Sequence, residues 1–289
     1  MSLHRQGQVM ALQGVAINVV LAIVKISAGL IGHAYALIAD GVESMLDVGS
    51  SLIIWSGLKF AEKPPDEEHP YGHGKAEPIA GIIVSLCVMG AAVGLAYESI
   101  QGLRAAEPVM PKPFTLIVLV GVVVIKEFLF RRVAKLGKEA GSTALKTEAW
   151  HQRSDAITSA AGFIGISIAL LGGKGYEQAD KWAALAACAV IAINGILLLI
   201  PAFLEIMDTA PAGEVSGEIR ATAGAVPGVR QIDKCYVRKM GLEYYIDIHV
   251  QVDGDLSVRE GHRIAHEVKD HLREKHPAVR DVLVHIEPD

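Results

Sequence analysis

The feature that most narrows the folds open to this chain is a series of long apolar stretches, each about as long as a bilayer-crossing helix. A hydrocarbon core takes roughly 20 residues of helix to cross. Six segments qualify: Val9 to Ile31, Ala36 to Phe60, Ile79 to Leu103, Pro113 to Val133, Ala144 to Leu171, and Trp182 to Ile206. A lone strand in lipid would leave its backbone unpaired, so these segments read as helices. Small residues recur along them (Gly14, Gly29, Gly57, Gly90, Gly94, Gly162, Gly165, Gly195), as close helix packing in lipid requires. The expectation is an α-helical membrane bundle of six transmembrane helices over residues 1–206.

Composition agrees only if the charges are segregated. The 289 residues are 51% hydrophobic with mean hydropathy +0.36, yet 20% are charged. The charges crowd into the C-terminal region and a few loops. A net charge of −5 without a basic run argues against a nucleic-acid partner. His4 and Arg5 precede the first stretch without a small-residue cleavage site, so it reads as a retained span and not a signal peptide. Lys63, Lys75, Arg131, Arg132, Lys135, Lys138 and Lys146 follow spans two and four. Only Arg104, Lys112, Lys174 and Lys181 follow spans one, three and five. That bias places both termini in the cytoplasm. Cys87, Cys188 and Cys235 are odd in number and lack C-x-x-C spacing, so neither a disulfide framework nor a thiolate metal site is expected.

After Ile206 the pattern becomes that of a small soluble domain. Residues 207–213 read as a linker. From Glu214 a helix runs to Ala225, and strands follow at Gln231 to Lys239 and Tyr244 to Val252. Ser257-Val258-Arg259-Glu260 reads as a capping box opening a helix to about Lys275, and Val279 to Ile286 is a last strand. Residues 214–289 therefore form a small α+β C-terminal domain, αββαβ and ferredoxin-like. A domain this small has a limited core and is expected to lean on a second subunit.

Ionisable groups in mid-span cost about 2.5–3.5 kcal/mol each on insertion scales and mark function by default. Span two carries Asp40, Glu43 and Asp47. Span five carries His151 and Asp155, with Glu148 and Arg153 nearer its cytoplasmic end. Glu43 and Asp47 share a helix face one turn apart, and so do His151 and Asp155. Two such claws supply the four ligands of a tetrahedral metal site. A single intramembrane Asp could be a helix-packing residue or a proton carrier. Two claws on two spans point more strongly to a metal. Asp40 either supports the ligands from one turn away or wets the exit cavity. No Walker-type loop implies ATP.

Three stretches, Leu37-Ile38-Ala39-Asp40-Gly41-Val42-Glu43-Ser44-Met45-Leu46-Asp47, His69-Pro70-Tyr71-Gly72-His73-Gly74-Lys75-Ala76-Glu77 and Trp150-His151-Gln152-Arg153-Ser154-Asp155-Ala156, resemble the cation diffusion facilitator family. So do the six spans and the short tail. The resemblance implies a homodimeric, proton-coupled exporter of divalent transition metals, not an enzyme, with no organic cofactor, in the cell inner membrane. It places the transport site on Glu43, Asp47, His151 and Asp155, although zinc-transporting relatives usually carry Asp or His where Glu43 stands. Zn2+ is the first expectation, with Fe2+, Mn2+, Cd2+ and Co2+ open. The resemblance further implies a loop site at Asp66, His69 and His73. In the tail, which holds six of the 11 histidines, it implies a site at His249, His262 and His285, with Asp233 where some relatives have a further His. His266, His271 and His276 read as solvated helix-face residues. The competing reading is a membrane-anchored metal sensor or scaffold, in which the spans merely hold the tail.

Overall fold

A computed structural model describes residues 3–105, 109–139, 143–173, 175–211, 213–241 and 243–289. For 3–15, 136–137, 139, 143–152 and 154 it describes the backbone alone. Six long helices come first: α1 (Leu3–Gly32), α2 (Tyr35–Ala61), α3 (Ala76–Arg104), α4 (Phe114–Glu139), α5 (Thr143–Leu171) and α6 (Ala179–Ile206). Each extends past the apolar stretch that announced it. Arg131, Arg132, Lys135 and Lys138, counted as loop cations from sequence, therefore lie on α4, and Lys181 lies on α6.

On length and hydropathy alone, α3 and α6 are the two described helices that satisfy a bilayer, with mean hydropathy 2.4 and 2.6 over their most apolar windows. The apolar parts of α1 and α5, Ala16–Gly32 and Asp155–Leu171, are shorter. The expected six-span count therefore narrows to two clear spans.

Contacts divide the chain into two compact units. The first joins 1–53 to 84–197, and the second joins 54–83 to 198–289. In the first, α1 and α2 approach closely because Gly41 has no side chain. A Cβ there would lie 2.7 Å from Ile26 Cγ1 and 2.9 Å from the backbone nitrogen of Ile26. Gly90 and Gly94, read from sequence as packing glycines, face open space. The N-terminus of α2 is capped from a distance: Asp180, buried at the start of α6, accepts from the backbone N–H of Tyr35 (2.7 Å) and Ala36 (3.0 Å). This satisfies two of the donors a helix start leaves orphaned.

The second unit holds α7 (Gly213–Gly224), β1 (Gln231–Met240), β2 (Glu243–Val252), α8 (Val258–Lys275) and β3 (Val279–Pro288). The sheet order is β1-β2-β3, with β1 antiparallel and β3 parallel to β2. Ile246, Ile248, Val250 and Val252 alternate onto the buried face of β2, where they meet Ile264, Val268 and Leu272 of α8. The capping box forms by half. Ser257 accepts from the Glu260 N–H at 3.3 Å, but the Glu260 carboxylate turns to Arg263 and does not reach back. His276 closes α8 and bonds Thr222 at 3.0 Å, so it is not the solvated helix-face residue expected.

The loop between α2 and α3 packs with the tail in this unit. Lys75 donates to Asp208 Oδ1 and to the Glu205 carbonyl, both at 2.6 Å. Tyr245 Oη donates to the Tyr71 carbonyl at 2.9 Å. Lys239 Nζ and the Gly241 N–H bond the Glu205 carboxylate at 2.9 and 3.0 Å.

Candidate metal sites

The apolar face of α1 hides a lysine. Lys25 is 0% exposed, and its Nζ donates to Asp40 Oδ1 (2.8 Å), Ser44 Oγ (3.1 Å) and Ser159 Oγ (3.4 Å). Ser159 in turn donates to Asp40 Oδ2 at 2.7 Å. Both oxygens of Asp40 are thus engaged by neighbours from α1 and α5. A charge removed from water is tolerated only when paired and hydrogen-bonded, and this network does both. Asp40 serves here as the counter-charge of Lys25, a partner its sequence context did not reveal.

One turn along α2, Glu43 lies within electrostatic reach of Asp47, Asp155, Asp40 and Lys25. Carboxylates from α2 and α5 therefore share one electrostatic neighbourhood, but among the described residues they are not drawn together as tightly as the loop and tail groups below. Asp155 has a cationic partner of its own: Lys126 of α4, also 0% exposed, donates to Asp155 Oδ2 at 2.6 Å and to Asn18 Oδ1 at 2.9 Å. His151 stands one turn before Asp155 on α5, and its side chain lies outside the described residues. Lys25 and Lys126 were both missed from sequence. The rule that singled out the mid-span carboxylates, that a buried charge marks function, applied equally to them.

The loop residues come together. The Asp66 carboxylate accepts from the backbone N–H of His69 (2.7 Å) and meets His69 Nδ1 at 3.0 Å, with His73 Nε2 3.5 Å away. The backbone N–H of His69, followed by its ring, holds Asp66 below the usual carboxylate range. The His69 and His73 rings lie 4.4 Å apart, and His73 is buried. One ligand atom from each of the three falls within 4.8 Å of the others.

In the tail, His249 and His285 are register partners across β2 and β3, with ring centroids 4.9 Å apart. Glu287 completes the group, 2.6 Å from His249 Nδ1 and 3.6 Å from His285 Nε2. The His249 bond, then the charges of both histidines, hold Glu287 below its usual range. Glu287 was also missed, although residues two apart on a strand share a face and His285 marked that face. The structure does not bring Asp233 or His262 into this group. Asp233 sits in the bulge of β1 beside Lys234. His262 pairs on α8 with His266, Nε2 to Nε2 at 3.2 Å.

Imidazoles with carboxylates within 4.8 Å form a donor set for a borderline divalent metal. The carboxylate-rich bundle region is harder in character. Against known families, residues 11–207 match the cation efflux transmembrane domain and 211–289 match the cytoplasmic domain of cation efflux proteins. The chain belongs to the cation efflux family. This cation efflux protein is an integral membrane protein, and its similarity to relatives runs nearly end to end. It is 30% identical to the manganese efflux system protein MneP of Bacillus subtilis (strain 168) over 282 residues, 96% of this chain and 95% of that one. It is 31% identical to MneS of the same organism over 290 residues, covering 98% and 96%. The magnetosome protein MamB of Magnetospira sp. (strain QH-2) is 32% identical over 260 residues, covering 90% and 88%.

Proposed function

We propose that this cation efflux protein is a proton-coupled exporter of divalent transition-metal ions, with Mn2+ the first to test and Zn2+, Fe2+, Cd2+ and Co2+ after it. All six helices of residues 1–206 cross the inner membrane, and both termini are cytoplasmic. A linker at 207–213 leads to a cytoplasmic domain, 214–289, through which two copies dimerise. Glu43, Asp47, His151 and Asp155 bind the ion in transit. The observation that carries this reading is that Glu43 lies within electrostatic reach of Asp47 and Asp155, among helices that expose large apolar side chains. Three carboxylates with one imidazole favour harder ions over those preferred by His- or Cys-rich sites. The similarity to the manganese efflux system proteins MneP and MneS points the same way.

Asp66, His69 and His73 gather metal from the cytoplasm, and His249, His285 and Glu287 report its level. Asp233 and His262 stay outside that tail group. Ligands must be deprotonated to bind, so metal and protons compete for the same lone pairs. Rocking of the helices then turns that competition into antiport. Moving one charge against 100 mV costs about 2.3 kcal/mol. Export of M2+ from a negative interior costs roughly twice that, so one entering proton offsets half through the potential. The remainder must come from the pH gradient or from metal excess.

The test is flux of each metal in proteoliposomes under an imposed pH gradient, comparing wild type with Asp47→Asn. The expected result is gradient-dependent flux that falls at least about 100-fold in the variant, as loss of a charged ligand implies. No flux for any metal, with binding retained at His285, would replace transport by the sensor reading.

A further inference from the structure

We infer that Lys126 is a tethered cation that competes with the transported metal for Asp155. This rests on the transport site proposed above and deepens it. Lys126 is fully buried and, among the described residues, touches one carboxylate and one neutral amide: Asp155 Oδ2 at 2.6 Å and Asn18 Oδ1 at 2.9 Å. Lys25 differs. Its three acceptors, Asp40, Ser44 and Ser159, form a closed network in which Ser159 also bonds Asp40. Lys25 satisfies a carboxylate outside the proposed ligand set, whereas Lys126 occupies an oxygen of a carboxylate inside it.

A metal reaching Asp155 meets the ammonium already seated on Oδ2, so the two cations compete for the carboxylate: directly if the ion takes that oxygen, and through charge repulsion if it takes the other. Lysine suits the exchange: its charge is compact and rides on a flexible four-carbon stem. Asn18 on α1 gives Lys126 an acceptor to retain while Asp155 binds the ion. When the helices open to the far side, return of the ammonium to Asp155 opposes rebinding and promotes release. The structure thus pairs Asp155 with a buried cation carried by α4.

Occupancy of Asp155 by Lys126 lowers apparent affinity by the fraction of molecules in which the carboxylate is free. The experiment measures Mn2+ flux kinetics of the full chain in proteoliposomes for wild type, Lys126→Met, Lys126→Arg and Asn18→Ala, after size-exclusion and melting checks of folding. Lys126→Met is expected to lower KM by roughly 10- to 100-fold, corresponding to wild-type occupancy of 90–99%, and to lower kcat because release slows. Lys126→Arg keeps the charge and should stay nearer wild type in both. Asn18→Ala leaves the ammonium only Asp155 to hold, so KM should rise, a sign opposite to that of Lys126→Met. A purely structural ion pair would shift melting and leave KM where it was.

A folded Lys126→Met protein whose KM is unchanged or higher overturns the inference. If that variant does not fold or transport, Asn18→Ala decides: a raised KM supports the tethered cation, and an unchanged one overturns it. Asp47→Asn separates the two levels of the argument. If it leaves flux intact, the transport site itself is misplaced. If it abolishes flux while the Lys126 and Asn18 variants leave KM alone, only the role of Lys126 fails.

Discussion

The long helices and the tail solve opposite problems with the same twenty residues. Among the described residues, α1, α2, α4 and α6 bury Lys25, Asp40, Lys126, Asp180 and Lys181, while Ile117 is 75% and Leu171 84% exposed. The tail buries Ile246, Ile248, Val250, Val268 and Leu272 and turns its charges outward. Where the surroundings are lipid, apolar surface costs nothing outside, and the interior becomes the place for charge. Where they are water, burying apolar surface is the main driving force. Charge therefore holds specific geometry in the helices and solubility in the tail.

The sharpest way to break this comparison is to remove one buried charge. Lys25→Met leaves Asp40 buried without its counter-charge, and breaking a buried pair from one side costs about 3–5 kcal/mol. The double variant Lys25→Met/Asp40→Asn removes both charges and should recover most of that loss. Thermal melting in detergent, arranged as a double-mutant cycle, measures the coupling. A single-variant cost below about 1 kcal/mol would mean the pair behaves like an exposed one.

This pair also marks how far the sequence could be read. The alternation of Ile246, Ile248, Val250 and Val252 announced β2 and its buried face, and Ser257 announced the start of α8, because both signals are local. Asp40, Glu43, Asp47 and Asp155 stood out because each is costly in its own helix. Lys25 and Lys126 carried the same local signal, but nothing local joined them to Asp40 and Asp155. The Lys25–Asp40 bond spans 15 positions and Lys126–Asp155 spans 29, so helix packing decides those pairings. Gly41, where any Cβ would collide with α1, is the local cause of the Lys25 contact. It is recognisable only once the two helices are known to touch. Glu287 was within reach of the period-two rule, since it shares its strand face with His285. Asp233 was drawn toward the tail site by resemblance, and the bulge between Ile232 and Cys235 is a register detail that no residue type announces.

A smaller effect sharpens the comparison by making one substitution in each region. Ile248→Ala empties a position that is 0% exposed in the tail core and should cost about 2–5 kcal/mol. Ile117→Ala on the outer face of α4 creates no cavity and should stay within about 0.5 kcal/mol in detergent. Separate melting transitions for the tail and the helices would show the first falling and the second unmoved. Equal costs would mean that the outer face of α4 is packed against something in the assembled protein.

The smallest expected effect concerns the charges the tail keeps outside. Asp253, Glu260 and Glu287 are all held below the usual carboxylate range. For Asp253 the cause is the Asp255 N–H and then Arg230, for Glu260 it is Arg263, and for Glu287 it is His249. Because each folded value lies below the unfolded one, near 4, the stabilisation is complete above that pH. It is lost as pH falls through the lowered folded values. Hydrogen exchange of the β2 amides in the full chain, corrected for the intrinsic pH dependence of exchange, should show constant protection from about pH 6 to 5 and a decline below about 4. Since all three groups remain open to solvent in part, the decline should be shallow and flatten further in high salt, where exposed pairs are screened. A steep, salt-independent loss would place a buried carboxylate in the tail after all, and with it the kind of interior charge that otherwise belongs to the helices.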